Sequence, residues 1–205
     1  MLVGHNGAGK TTLMKLLLGL ARPSSGKVAV FGQNPVASRS AARRGALGYL
    51  PESIAFDEAM TGRELLKFYA GLKCVNPNAC DELLQRVGIA DASERRLGTW
   101  SKGMRQLLVL AQAMLGSPRL LLLDEPTSGL DPALRSTVYD IINHLNASGV
   151  SVLISSHALK EVEDHADRVA ILRPGRMLAG GTRSPQAEPA APPSTPRACR
   201  VAPAA

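Results

Sequence analysis

Apolar positions fall into short runs separated by glycine- and proline-rich turns, with spacings of both helical and strand period. Met1-Leu2-Val3 is the end of a strand that leads directly into a glycine-rich loop, Gly4 to Thr12. Leu13 to Leu20 then reads as the apolar face of a helix, closed by Arg22-Pro23-Ser24-Ser25-Gly26. Lys27 to Phe31 alternates as a short strand ended by Gly32-Gln33-Asn34-Pro35, and Gly48-Tyr49-Leu50 is another that meets Pro51. Helical spacing follows. Thr61 with Glu64 three residues on is a capping box, and Leu65, Leu66, Phe68, Tyr69 and Leu72 supply the apolar face. Asn76-Pro77 predicts a helix start, with Leu83, Leu84 and Val87 inside and Gly88 as the stop. Ser101 precedes a third helix through Leu115, ended by Gly116-Ser117-Pro118.

Leu120 to Leu123 is a continuous apolar run, as expected of a strand covered on both faces of a parallel sheet. Asp131-Pro132 caps a helix to about Asn146, and Ser148-Gly149 turns into a second buried strand, Val150 to Ser155. Ala158 to Asp164 reads as helical, and Val169 to Leu172, Pro174-Gly175 and Arg176 to Ala179 as a hairpin. Strands alternating with helices predict an α/β fold with a mostly parallel sheet, into which a helical subdomain of about residues 60–116 is inserted. Six prolines and seven alanines in the last 22 residues leave no apolar period. The expectation is one domain over 1–182 and a disordered Pro/Ala-rich tail over 183–205.

Composition narrows the classes. At 205 residues and 45% hydrophobic the chain can bury a core, so wholesale disorder is excluded. The net charge is +7, yet no Lys/Arg run exceeds two and aromatics are only 3%, so nucleic acid is not an expected partner. Cys74, Cys80 and Cys199 form neither a C-x-x-C pair nor an even set, which predicts free thiols in a reducing compartment. No apolar stretch nears the roughly 18 residues of a bilayer span. Met1-Leu2-Val3 does not open a signal peptide, so the expected chain is soluble and cytoplasmic.

Gly4-His5-Asn6-Gly7-Ala8-Gly9-Lys10-Thr11, followed by Thr12, matches the phosphate-binding pattern G-x-x-x-x-G-K-[ST]. Glycines let successive N–H groups turn inward around phosphate oxygens, and the helix that follows aims its N-terminal dipole at the same anion. Lys10 would reach the β- and γ-phosphates of ATP, and Thr11 would offer a hydroxyl to Mg²⁺. Leu120 to Leu123 followed by Asp124-Glu125 places one carboxylate at the end of a buried strand, suited to Mg²⁺, and a second beside it, suited to polarising water.

Three further strings complete a resemblance. Trp100-Ser101-Lys102-Gly103-Met104-Arg105-Gln106 resembles the L-S-G-G-Q signature of ABC ATPases, matching at Ser101 and Gly103 and departing at Lys102 and Met104. Ser128-Gly129-Leu130-Asp131 is similar to the D-loop that follows Walker B, and Ser155-Ser156-His157 to the H-loop. Tyr49-Leu50-Pro51-Glu52 stands in the place of the Q-loop, with Glu52 where glutamine is usual; a carboxylate there can also reach Mg²⁺ or its water. Within the superfamily, Leu50-Pro51-Glu52-Ser53, Met60-Thr61-Gly62-Arg63-Glu64, the signature string and Ser156-His157-Ala158-Leu159 look like the ATPase of the copper-processing transporter used in nitrous oxide reductase maturation. Related drug and sodium exporters share some of these strings. Cys74, Cys80 and His144 have no copper-ligand spacing.

The resemblance covers about residues 1–182 and implies an ABC-type nucleotide-binding domain of the P-loop NTPase fold, with ATP and Mg²⁺ bound. It implies a homodimer of ATPase subunits in which Ser101, Gly103 and Asp131 act across the interface. Glu125 and His157 would be catalytic, the partner an integral membrane permease, and the location the inner face of the cell membrane. Family members carry roughly 30 residues before the phosphate loop, including β-subdomain strands and an adenine-stacking aromatic. The chain therefore reads as N-terminally truncated, with an open sheet edge expected. Two alternatives stay open: a non-catalytic remnant that binds nucleotide weakly, and a soluble ABC ATPase of translation or DNA repair.

Overall fold

The structure, a computed structural model, describes residues 1–37, 45–158 and 165–182. Its strands are β1 (Leu2–Val3), β2 (Leu47–Leu50), β3 (Leu120–Asp124), β4 (Ser151–Ser156), β5 (Arg168–Arg173) and β6 (Arg176–Thr182). They form one sheet in the order β2-β3-β4-β1-β5-β6, parallel throughout except for the β5–β6 hairpin. The expected α/β architecture is present. The short β1 lies in the middle of the sheet: Leu2 stands opposite Ser155 on one side and Ala170 on the other.

The helices are α1 (Lys10–Leu18), α2 (Gly62–Leu72), α3 (Ala79–Arg86), α4 (Lys102–Met114) and α5 (Pro132–Ala147). Three start where their caps predict. Thr61 and Glu64 form the complete capping box of α2, Ser101 caps α4 through the Met104 N–H, and Asp131 caps α5 through the Leu134 N–H.

Other elements depart from expectation for local reasons. Helix α1 begins at Lys10, because Gly9 (φ 104°) is its N-cap, and ends at Leu18 rather than Leu20. Gly19 there adopts φ 75°, its N–H bonding Leu16 O while Leu20 N–H bonds Lys15 O. Lys27 to Phe31 is not a strand: Val30 makes one isolated bridge to Gln33, because its alternating residues find no partner strand among the described residues. Helix α3 starts at Ala79, not after Asn76, because Asn76 Oδ1 accepts the Asn78 N–H and closes a turn around Pro77. The helix expected over Ala158 to Asp164 lies almost wholly outside the described residues, as do the tail 183–205 and Cys199.

Helix α4 packs on β2, α1 on β3 and α5 on β4. Contact with β2 is so close that a Cβ at Gly48 would stand 2.1 Å from the Ala113 carbonyl oxygen, leaving room for glycine alone. One buried cluster joins Leu50, Leu121, Leu123 and Ile154 of the sheet to Leu66, Leu84, Leu108 and Ile142 of the helices. Each side chain so covered stabilises the fold by about 1.5–3 kcal/mol relative to exposure. The consequence for the site is a shared edge: β1, β3 and β4 run parallel, so Gly4, Asp124 and His157 emerge at the same end of the sheet.

Candidate nucleotide-binding site

The loop from Gly4 to Gly9 leaves β1 and turns on Gly7 (φ 81°) and Gly9 (φ 104°), both in the left-handed region that residues with a Cβ avoid. Gly4 is required for another reason: a Cβ there would lie 2.6 Å from the Leu172 carbonyl oxygen. The loop closes with Ala8 N–H on His5 O and passes into α1, so backbone amides and a helix N-terminus face one space. That space is a cleft of about 370 Å³ lined by residues 5–12 with Glu52, Asp124 and Glu125. Sequence-predicted Glu52 thus lines the same cleft as the phosphate loop, Asp124 and Glu125.

Lys10 is buried beneath the loop, its ammonium donating to Gly4 O at 2.6 Å and to His5 O at 3.5 Å. Its Nζ also stands 3.2 Å from Glu125 Oε1. Thr11 Oγ1 donates to Asp124 Oδ2 at 2.6 Å, across 113 residues of sequence. His157, just past β4, holds its Nδ1 2.8 Å from Glu125 Oε2. The chain leaves β3 at Glu125 with φ 52°, a conformation costly for a residue with a side chain and common at functional sites. It brings a carboxylate that is nearly buried between a lysine ammonium and a histidine ring.

The signature and D-loop residues are placed elsewhere. Ser101 Oγ accepts the Met104 N–H, Asp131 Oδ1 accepts the Leu134 N–H, and Gly103 packs so tightly that a Cβ would meet Leu134 Cδ2 at 2.0 Å. None of the three lines the phosphate cleft. Sequence reasoning did not single out Ser155, which is wholly buried, donates to the Asp124 carboxylate and accepts the Glu125 N–H. A hydroxyl directly following the apolar run Val152 to Ile154, in line with the end of a buried strand, was its available signal.

Electrostatics at the cleft suit a cation beside an anion. Burial first, then the carboxylates of Asp124 and Glu52, push the Tyr49 phenol above its ordinary value. A threonine hydroxyl and an aspartate oxygen 2.6 Å apart are hard oxygen donors. They match Mg²⁺, which takes one or two protein oxygens and completes its shell with phosphate and water. Among the described residues no cluster of three His, Cys, Asp or Glu forms a metal site.

The chain matches the ABC transporter family model, "ABC_tran", over residues 1–128. It is 45% identical over 187 residues to an ABC transporter ATP-binding protein of Nostoc sp., covering 88% of this chain and 55% of that one. It is 38% identical over 184 residues to the daunorubicin resistance ATP-binding protein DrrA3 of Streptomyces coeruleorubidus, covering 88% and 58%. The chain thus spans less than two thirds of the length of these relatives. A solved structure of the ATP-binding subunit of an ABC transporter superposes with a TM-score of 0.78 at 31% identity, over 88% of this chain and 77% of that one.

Proposed function

Because the chain belongs to the ABC transporter family, we propose that it is the ATP-binding and hydrolysing part of a transporter and that its nucleotide lies in the cleft under the phosphate loop. The observation that carries this reading is the convergence of Lys10, Thr11, Asp124, Glu125 and His157 at one end of a parallel sheet. Loop amides and the N-terminus of α1 bind the triphosphate. Lys10 exchanges its contact with Glu125 for phosphate oxygens, which frees one carboxylate oxygen to accept a proton from water. His157 keeps its bond to the other oxygen and so fixes the direction in which Glu125 presents itself. Thr11 and Asp124 would hold Mg²⁺, whose chemistry when bound is to offset charge on the phosphates. Glu52 lines the same cleft and would add a third carboxylate facing that cation.

Ser101, Gly103 and Asp131 lie off this cleft, which supports a role across a homodimer in which one subunit's signature helix covers the nucleotide of the other. The helix after Ser101 would direct its N-terminal dipole at the γ-phosphate. Opening of that sandwich after hydrolysis would drive a separate integral permease, placing the chain on the cytoplasmic face of the membrane. No helix among the described residues is long and apolar enough to cross a bilayer.

Two cargo readings follow. The strings Leu50-Pro51-Glu52-Ser53 and Met60-Thr61-Gly62-Arg63-Glu64 support a transporter that handles copper for nitrous oxide reductase maturation. The similarity to a daunorubicin resistance protein supports export of organic compounds. The test of the ATPase reading is Glu125→Gln: nucleotide binding is retained and hydrolysis falls about 10²-fold or more, the scale of losing a general base. Unchanged turnover would remove Glu125 from the mechanism.

A further inference from the structure

Ser155 stands opposite Asp124 in the parallel β3–β4 pair, and its side chain reaches both carboxyl-bearing residues at the end of β3. Its hydroxyl donates to Asp124 Oδ1 at 2.5 Å and accepts the Glu125 N–H at 2.9 Å. A hydroxyl has a single proton, so with that proton given to the carboxylate only its lone pairs remain for the amide, and the bonding order is fixed. Full burial keeps water from competing for either bond.

The two bonds answer separate problems. Asp124 Oδ2 is already held by Thr11, and a carboxylate fastened at one oxygen can still rotate about its terminal torsion. Fastened at both, its plane is set, with Oδ2 directed at the Thr11 hydroxyl where a metal would be shared. Glu125 presents the other problem. At φ 52° its amide has turned out of the β-ladder, and a buried amide without an acceptor is costly. Ser155 Oγ supplies that acceptor and so holds the turn that aims the Glu125 side chain at Lys10 and His157. Ser156, next in sequence, serves a different bond, accepting the Ala158 N–H.

We infer that Ser155 is a positioning residue whose single hydroxyl orients both the metal-facing Asp124 carboxylate and the backbone turn that presents Glu125. The inference rests on the reading of Thr11 and Asp124 as the Mg²⁺ site. It commits to a consequence that packing alone would not produce: loss of the hydroxyl should weaken the metal-dependent part of nucleotide binding and spare the metal-independent part.

The experiment measures ATP affinity of the full chain by titration in EDTA and again in excess Mg²⁺, for the parent, Thr11→Ala, Ser155→Ala and Ser155→Cys. Cysteine keeps the side-chain volume with a much weaker donor, so it separates hydroxyl chemistry from cavity formation. Both Ser155 variants should bind ATP in EDTA within about twofold of the parent. Each should lose about 10-fold or more of the affinity that Mg²⁺ adds, the scale of a hydrogen bond to a charged group. Loss of the Mg²⁺ gain in Thr11→Ala with the gain intact in both Ser155 variants overturns the inference alone. Equal weakening with and without Mg²⁺ reduces Ser155 to a packing residue and overturns it as well. Absence of any Mg²⁺ gain in the parent overturns the metal-site reading beneath it.

Discussion

Replacing Lys10 with methionine removes the ammonium while keeping an unbranched stem in its buried channel. The ion pair it breaks has Nζ 3.2 Å from Glu125 Oε1, with side chains only 7% and 9% exposed. At that separation and an effective dielectric of about 20, the attraction alone is about 5 kcal/mol before desolvation is subtracted. Removing one partner of a buried pair typically costs about 3–5 kcal/mol, because the other charge is left uncompensated. Glu125 retains His157 on its second oxygen, so the lower end applies, about 3 kcal/mol. For a domain of this size that is a fall in Tm of about 6–12 °C. Glu125→Gln should cost less, about 1 kcal/mol, since Lys10 keeps its bonds to Gly4 O and His5 O. The double variant should then be more stable than Lys10→Met alone, giving a coupling of about 2 kcal/mol. Nucleotide-free calorimetry on the four proteins measures this directly. Additive effects within about 0.5 kcal/mol, or a Tm fall below about 2 °C for Lys10→Met, would refute the pairing as an energetic element.

Gly48→Ala should lower stability by about 3 kcal/mol in denaturant unfolding, because the new methyl meets the Ala113 carbonyl and no rotamer can relieve a backbone clash. Thr61→Ala should cost about 1 kcal/mol of thermal stability through loss of the α2 cap, and a neutral result would remove that cap from the account. The Thr61 backbone N–H, then its side chain, hold the Glu64 carboxyl below its ordinary 4.5. A depressed carboxyl contributes stability that is present above its unfolded value and lost as pH falls through the folded one. The Tm gap between the parent and Glu64→Gln should therefore shrink on acidification below about pH 4.5, and a constant gap would contradict the cap as its origin.

Features that depend on a few consecutive residues could be read from the sequence. Thr61 with Glu64, Ser101 and Asp131 each cap a helix by bonding an amide three residues on, so their consequence is local. The apolar run Leu120 to Leu123 announced a strand because burial on both faces leaves no polar position. Lys27 to Phe31 has strand alternation, but alternation does not create a neighbour, and among the described residues Val30 pairs through the bridge to Gln33 alone. Asn76 looked like a cap; its side chain instead closes a turn two residues on, which composition alone does not distinguish. The phosphate loop and the carboxylates were legible as chemistry. Their mutual arrangement was not, since the Ser155 bonds depend on the register of β3 against β4, and the Lys10–Glu125 pair on where β1 and α1 stand relative to β3.

The central position of β1 has a consequence for how the chain is made. Leu2 pairs with Ser155 and with Ala170, so both neighbours of β1 are translated about 150 residues after it. At synthesis rates of about 5–20 residues per second, the strand carrying the phosphate loop waits on the order of ten seconds or more for its flanking partners. During that interval α2, α3 and α4 are already complete as polypeptide, and their local caps need nothing further downstream. The nascent chain therefore exposes an unpaired apolar strand end early and satisfies it late. Chaperone capture or aggregation would compete for that strand in this window.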